Sequence, residues 1–131
     1  KVFNVINIYF YSNMKKKIIC FDIDNVICKT KLNHYKNSQP NKKTINLINS
    51  LYERGYFIKI FTARGMGKYK KNKKQIKKII GKLTINQLKK WKVNYHELIF
   101  YKPSYDIFID DKALGFEKNW HLKLKRKLKL K

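Results

Sequence analysis

Residues 16–23 (K-K-I-I-C-F-D-I) make a continuous apolar run ending in acid, and residues 56–61 (Y-F-I-K-I-F) make a second run that ends at Thr62. Unbroken hydrophobicity is the pattern of a strand covered on both faces, as in a parallel sheet whose C-terminal edge opens onto a site. Between the runs, Thr44 is placed to cap a helix reaching about Arg54, with Ile45, Leu47, Ile48 and Leu51 on its apolar face and Gly55 as its stop. Strand, helix and strand at this spacing form a βαβ unit, whose strands pair in parallel through a right-handed crossover. The chain is therefore expected to be α/β.

The later pattern extends this unit. Residues 25–43 are polar and irregular, with Pro40, and read as a loop or flap; residues 66–74 read as a glycine- and lysine-rich loop. Gln75 to Ile80 reads as a short helix ended by Gly81, and Thr84 with Gln87 reads as a capping box opening a helix over 85–92, with Leu88 and Trp91 inward. Residues 97–101 (E-L-I-F-Y) and 106–110 (D-I-F-I-D) read as two more strands, giving a small parallel sheet of about four strands with helices on both faces. The four residues between 101 and 106 reach only about 14 Å when extended, so no crossover helix fits there. Either both late strands are short or 97–101 is not a regular parallel strand. One domain is expected over 14–120, with 1–13 as an N-terminal extension or an extra edge strand, and 121–131, alternating leucine and lysine, as a basic tail. Met14, followed by three lysines, reads as a natural start.

The chain has 32 basic and 8 acidic residues, a net charge of +24. Such a balance favours phosphate-bearing partners: nucleic acid, anionic membrane or phosphorylated metabolites. The lysines are scattered, asparagine and isoleucine are also over-used, and Arg54, Arg64 and Arg126 are the only arginines. Most of the charge therefore reads as compositional bias. Residues 2–11 are apolar but too short to span a bilayer, and they lack a small-residue cleavage site. Cys20 and Cys28 make no metal spacing and read as reduced thiols, Cys20 buried, in a cytoplasmic protein without a membrane partner.

With so few acids, their placement is informative. All five aspartates lie in two clusters: Asp22 and Asp24 close the first run, while Asp106, Asp110 and Asp111 frame the last. In D-I-D, Asp22 can serve as a nucleophile and Asp24 as a general acid and base. Carboxylates converging at strand ends repel one another unless a cation sits between them. A hard, oxygen-seeking Mg²⁺ suits Asp22, Asp24, Asp110 and Asp111. Thr62 offers a hydroxyl at its strand end. Lys102 precedes the last acidic run and, among 32 bases, means nothing by itself.

Taken in order, F-D-I-D-N-V at 21–26, I-F-T at 60–62, Lys102 and I-D-D at 109–111 resemble the motifs of the haloacid dehalogenase superfamily of phosphohydrolases, over roughly residues 17–120. F-T-A-R at 61–64, Q-L-K-K-W at 87–91 and K-P-S-Y-D-I-F-I-D-D at 102–111 are similar to its small capsule and polysaccharide biosynthesis phosphatases. The resemblance implies a Rossmann-like core without a large cap. It implies that Asp22 forms an aspartyl-phosphate and that Asp24 protonates the leaving alcohol, then activates water. Mg²⁺ would be held by Asp22, the Asp24 carbonyl and Asp110, with Asp111 assisting, and Thr62 and Lys102 would hold the non-bridging oxygens. Asn25 stands where the family usually has glycine, and asparagine tolerates positive φ better than other residues. Asn25, Arg64 and the flap residues His34, Tyr35 and Lys36 are then expected near substrate, and Asp106 in a turn or capping role. An open site of this kind admits larger substrates or is closed by a neighbouring subunit of a homo-oligomer. The expected substrate is a sugar phosphate or related metabolite. The alternatives are a nucleotidase or nucleic-acid 3′-phosphatase, and a non-catalytic phosphate- or nucleic-acid-binding module.

Overall fold

In chain order the elements are strand β1 (Ile18–Phe21), strands β2 (Cys28–Lys29) and β3 (Gln39–Pro40), helix α1 (Lys42–Glu53), strand β4 (Phe57–Phe61), helix α2 (Lys82–Lys90), strand β5 (Glu97–Ile99) and helix α3 (Trp120–Lys127). They come from a computed structural model that describes residues 17–67 and 73–130. The expected 1–13 extension, the start at Met14 and part of the 66–74 loop lie outside the described residues.

The βαβ expectation holds. β1 pairs in parallel with β4, Phe21 opposite Ile60, and β4 pairs in parallel with β5, Ile60 opposite Leu98, so the sheet order is β1-β4-β5. Helix α1 starts earlier than expected: Asn41 is the cap, its side chain accepting from Thr44 N at 3.2 Å. Thr44 itself is buried. Gly55, at φ 93°, stops the helix as expected.

Strand pairing sorts side chains by face. Phe21, Ile58 and Ile60 join Ile45, Leu47, Ile48 and Leu51 of α1, Leu88 of α2, and Trp120 and Leu124 of α3 in one buried cluster. On the opposite row Ile18, Cys20 and Glu97 are exposed and Lys59 half-buried, Lys59 pairing with Glu97 at 3.2 Å. Helices on both faces are thus not found among the described residues. The expectation that Cys20 is buried is corrected, because Cys20 stands on this uncovered row.

Three further expectations change. Residues 121–131 are not a loose tail: most of them form α3, whose Trp120 meets Phe21 edge-on at 6.4 Å. Gly81 does not end a helix, since the π-helical stretch Ile76–Gly81 runs straight into α2. A strand over 106–110 does not form, and Ile107 and Ile109 are 81% and 92% exposed. Lys102 N still donates to Thr62 O beyond the end of β5. The return can therefore begin only at Pro103, and the three residues 103–105 reach only about 10 Å. No helix among the described residues is long and apolar enough to cross a membrane.

Candidate functional site

β1 and β4 end side by side, and the residues after each strand meet at the C-terminal edge of the sheet. Asp22 follows β1 directly. Its Oδ1 accepts from Ile23 N at 2.8 Å, and its Oδ2 lies 3.0 Å from Lys102 Nζ. The chain then curls around the Ile23 carbonyl, which accepts from the N–H groups of Val26, Ile27 and Cys28. Asn25 takes the left-handed conformation at φ 67°, and its Oδ1 accepts from Thr30 N.

Lys102 is aimed by backbone geometry. Thr62 N donates to Ile99 O at 3.0 Å, and Lys102 N donates to Thr62 O at 3.1 Å. Between these bonds Tyr101 sits at φ 72°, a left-handed conformation that costs a non-glycine residue about 1–3 kcal/mol. Burial by itself lowers the Lys102 ammonium, but hydrogen bonds to Tyr105 and Asp22 outweigh it and hold Lys102 above its ordinary value of 10.5. The Lys102–Asp22 pair is therefore charged at neutral pH on the lysine side, and it is only partly exposed.

Asp24 is held by a different set. Arg64 is 1% exposed; its Nε donates to both Asp24 oxygens at 3.2 and 3.0 Å, and its Nη2 to Oδ1 at 2.9 Å. Nη1 donates to Thr84 Oγ1 at 3.2 Å and Gln87 Oε1 at 2.6 Å, while the Tyr35 ring lies 4.9 Å from the guanidinium carbon. The Thr30 hydroxyl donates to Asp24 Oδ1 at 2.6 Å and lies 2.7 Å from Ser38 Oγ. Gln87 Nε2 donates to Tyr35 O at 2.6 Å, which ties α2 to the flap. Asp24 Oδ1 is crowded, whereas Oδ2 has Arg64 Nε as its one hydrogen-bond donor among the described residues.

The expectation that Arg64 touches substrate is corrected: its guanidinium is turned inward and every nitrogen has a partner. The expected Thr84–Gln87 capping box is corrected too. Gly81 precedes α2 without a side-chain cap, and both polar side chains serve Arg64 instead. The sequence did hold a signal, since Thr84 and Gln87 share the helix face that Leu88 turns to the core, where a polar side chain needs a buried partner. Thr30 and Ser38 were not singled out by the sequence. Their burial on the β2–β3 hairpin, in the expected flap, is what reveals them. His34 and Lys36 of the flap are exposed.

The structure thus brings Asp22, Asp24, Thr62 and Lys102 to one edge. Thr62 is fully buried, and its Oγ1 accepts from Arg64 N at 3.2 Å. Asp110 and Asp111 do not join them. Both are exposed, Asp110 Oδ1 accepting from Lys112 N at 2.7 Å, and Asp106 is exposed at a bend. Among the described residues no three His, Cys, Asp or Glu side chains could hold a metal ion together. With Asp22 paired to Lys102 and Asp24 to Arg64, the carboxylates as placed do not fit the Mg²⁺ site expected from the sequence.

No family model and no curated protein matches the chain. Among solved structures, a crystal structure of a target protein from Vibrio cholerae is similar, at 25% identity and a TM-score of 0.70, covering 86% of this chain and 98% of that one. A chain of the Pnkp1/Rnl/Hen1 RNA repair complex matches at 14% identity and a TM-score of 0.49, covering 86% of this chain and 31% of that one.

Proposed function

We propose that the protein is a phosphomonoester hydrolase of the haloacid dehalogenase type, acting on a sugar phosphate or a related metabolite. The observation that carries this reading is the 3.0 Å contact between Asp22 Oδ2 and Lys102 Nζ at the C-terminal edge of a parallel sheet. A carboxylate that attacks a phosphate anion must be relieved of repulsion, and one fixed ammonium beside it does that. In the proposed reaction an Asp22 oxygen bonds to phosphorus as the bond to the leaving oxygen breaks. Lys102 neutralises the non-bridging oxygens. The leaving alkoxide takes a proton through the less crowded Asp24 Oδ2. Water then attacks phosphorus and gives a proton back to Asp24, the bond from phosphorus to the Asp22 oxygen breaks, and Asp22 returns as a carboxylate with inorganic phosphate released. Arg64 is assigned the orientation of Asp24.

Two finer points belong to this proposal. Among the described residues β1 is paired on one side only, and the apolar Ile107, Phe108 and Ile109 are exposed. We assign Ile107, Phe108 and Ile109 to cover of this open side of β1 in the competent enzyme, with Asp110 and Asp111 following them. A requirement for Mg²⁺ rests on the oxygen chemistry of these aspartates alone, and no step above is routed through the ion.

The test is hydrolysis of a generic aryl phosphate, then of sugar phosphates, nucleotides and 3′-phosphorylated oligonucleotides, with Mg²⁺ and with EDTA. Asp22→Asn is expected to abolish turnover while circular dichroism shows the fold retained. Full activity in that variant sinks the nucleophile assignment. Steeply salt-dependent nucleic-acid binding without any turnover would favour a non-catalytic module instead.

A further inference from the structure

We propose that the trough between α1 and α3 is a binding site for a small phosphate-bearing anion, distinct from the Asp22–Lys102 edge. A cavity of about 260 Å³ lies between the two helices. Lys43 and Ser50 line it from one stripe of α1, Arg54 from just past the end of that helix, and His121 and Lys125 from adjacent turns of α3. It shares no residue with the edge described above, so its fate is independent of the proposed hydrolase activity.

Three observations point to an anion. First, no carboxylate lines this cavity, and none of Lys43, Arg54 and Lys125 has an ion-pair partner among the described residues. Three cations facing one space without a counter-charge repel one another, and a bound dianion relieves all three at once. Second, the Ser50 hydroxyl and the Asn46 amide stand between the charges and can donate to oxyanion oxygens. Third, His121 is fixed in place, its Nε2 lying 3.3 Å from Thr44 Oγ1 and its ring 3.8 Å from that of Trp120. Burial first, then the charges of Lys43 and Lys125, hold its imidazole below the ordinary value of 6.5. An adjoining cavity of about 560 Å³ shares Lys43 and His121 and adds Lys118 and Asn119. The carboxylate at its border, Glu117, is already paired with Lys123.

The class of ligand follows from what lines the space. No Phe, Tyr or Trp lines either cavity, and the His121 ring already lies against that of Trp120, so the space is not built as a stacking platform for bases. Recognition is by charge and hydroxyl donors on a scale suited to a small solute. Because an anion stabilises the imidazolium, ligand binding and His121 protonation are linked. A bound anion therefore favours the protonated form of His121.

The experiment follows the His121 imidazole resonances of the full chain by NMR as inorganic phosphate or pyrophosphate is added at constant ionic strength. Saturable movement is expected, with the His121 titration midpoint shifted upward. A Lys43→Gln/Arg54→Gln double variant should weaken binding by roughly tenfold or more, while Asp22→Asn should leave it unchanged. Should the double variant prove unfolded by circular dichroism, Ser50→Ala with Lys125→Gln provides the same comparison. An unsaturable response, an equal response to chloride, or unchanged binding in the folded variants would overturn the site. Tighter binding of duplex DNA than of pyrophosphate, per phosphate, would also overturn it in favour of a nucleic-acid surface.

Discussion

Arg64 directs its whole guanidinium into the protein, and this makes it a structural clamp on Asp24 as well as an aid to the proposed chemistry. A buried ion pair adds little net stability, yet removing one partner strands the other. Arg64→Ala is therefore expected to cost about 3–5 kcal/mol, measured by urea unfolding. Arg64→Lys should recover little, because a single ammonium cannot replace the fork that meets Asp24, Thr84 and Gln87 together. Lys102 carries a different signature. Its folded value is raised, so the stability it contributes is fully present below the ordinary lysine range and is lost as pH rises through the elevated folded value, above 10.5. Comparing alkaline unfolding of the wild type with that of Lys102→Met should show this component in the wild type alone. These roles were only half legible in the sequence. Asp22, Asp24 and Thr62 stand at the ends of apolar runs and could be read directly. Arg64 follows Thr62 closely enough to be placed in the site, but its inward turn depends on partners on α2 that local sequence does not reveal.

At the scale of elements, α2 shows how one polar pattern can serve two purposes. Thr84 and Gln87 have the spacing of a capping box, but the preceding π-helical stretch leaves no helix start for them to cap. If they anchor Arg64 instead, Thr84→Ala should leave helicity by circular dichroism unchanged. It should still reduce stability by about 1–3 kcal/mol, the cost of leaving a buried Nη1 donor short of a partner. A loss of helicity would restore the capping reading. On α1 the apolar face was legible because its spacing is helical, whereas the cap moved from Thr44 to Asn41. Both residue types cap well, and the choice fell to Thr44 being needed in the core, where its hydroxyl lies near His121.

For the molecule as a whole, α3 is part of the packed core. Its leucine–lysine alternation hides an amphipathic helix whose Trp120 and Leu124 complete the cluster around Phe21. Burial of side chains this large is worth about 1.5–3 kcal/mol each, against a total stability of about 5–15 kcal/mol for a domain. A chain ending at Asn119 is expected to lose a cooperative melting transition, read by circular dichroism; retention of the full transition would show that α3 is dispensable. The sequence by itself determined the parallel β1–α1–β4 unit, because unbroken apolar runs joined by a helical stripe have few other ways to be buried. It also determined that Asn25 could carry the turn after β1. Motif order singled out Lys102 and Arg64, but only the tertiary structure decided that the first pairs with Asp22 and that the second is locked away. It also decided that the last acidic run stays off the described sheet. Those are properties of distances between residues far apart in the chain, and a lysine-rich sequence offers nothing local to tell one ammonium from the next.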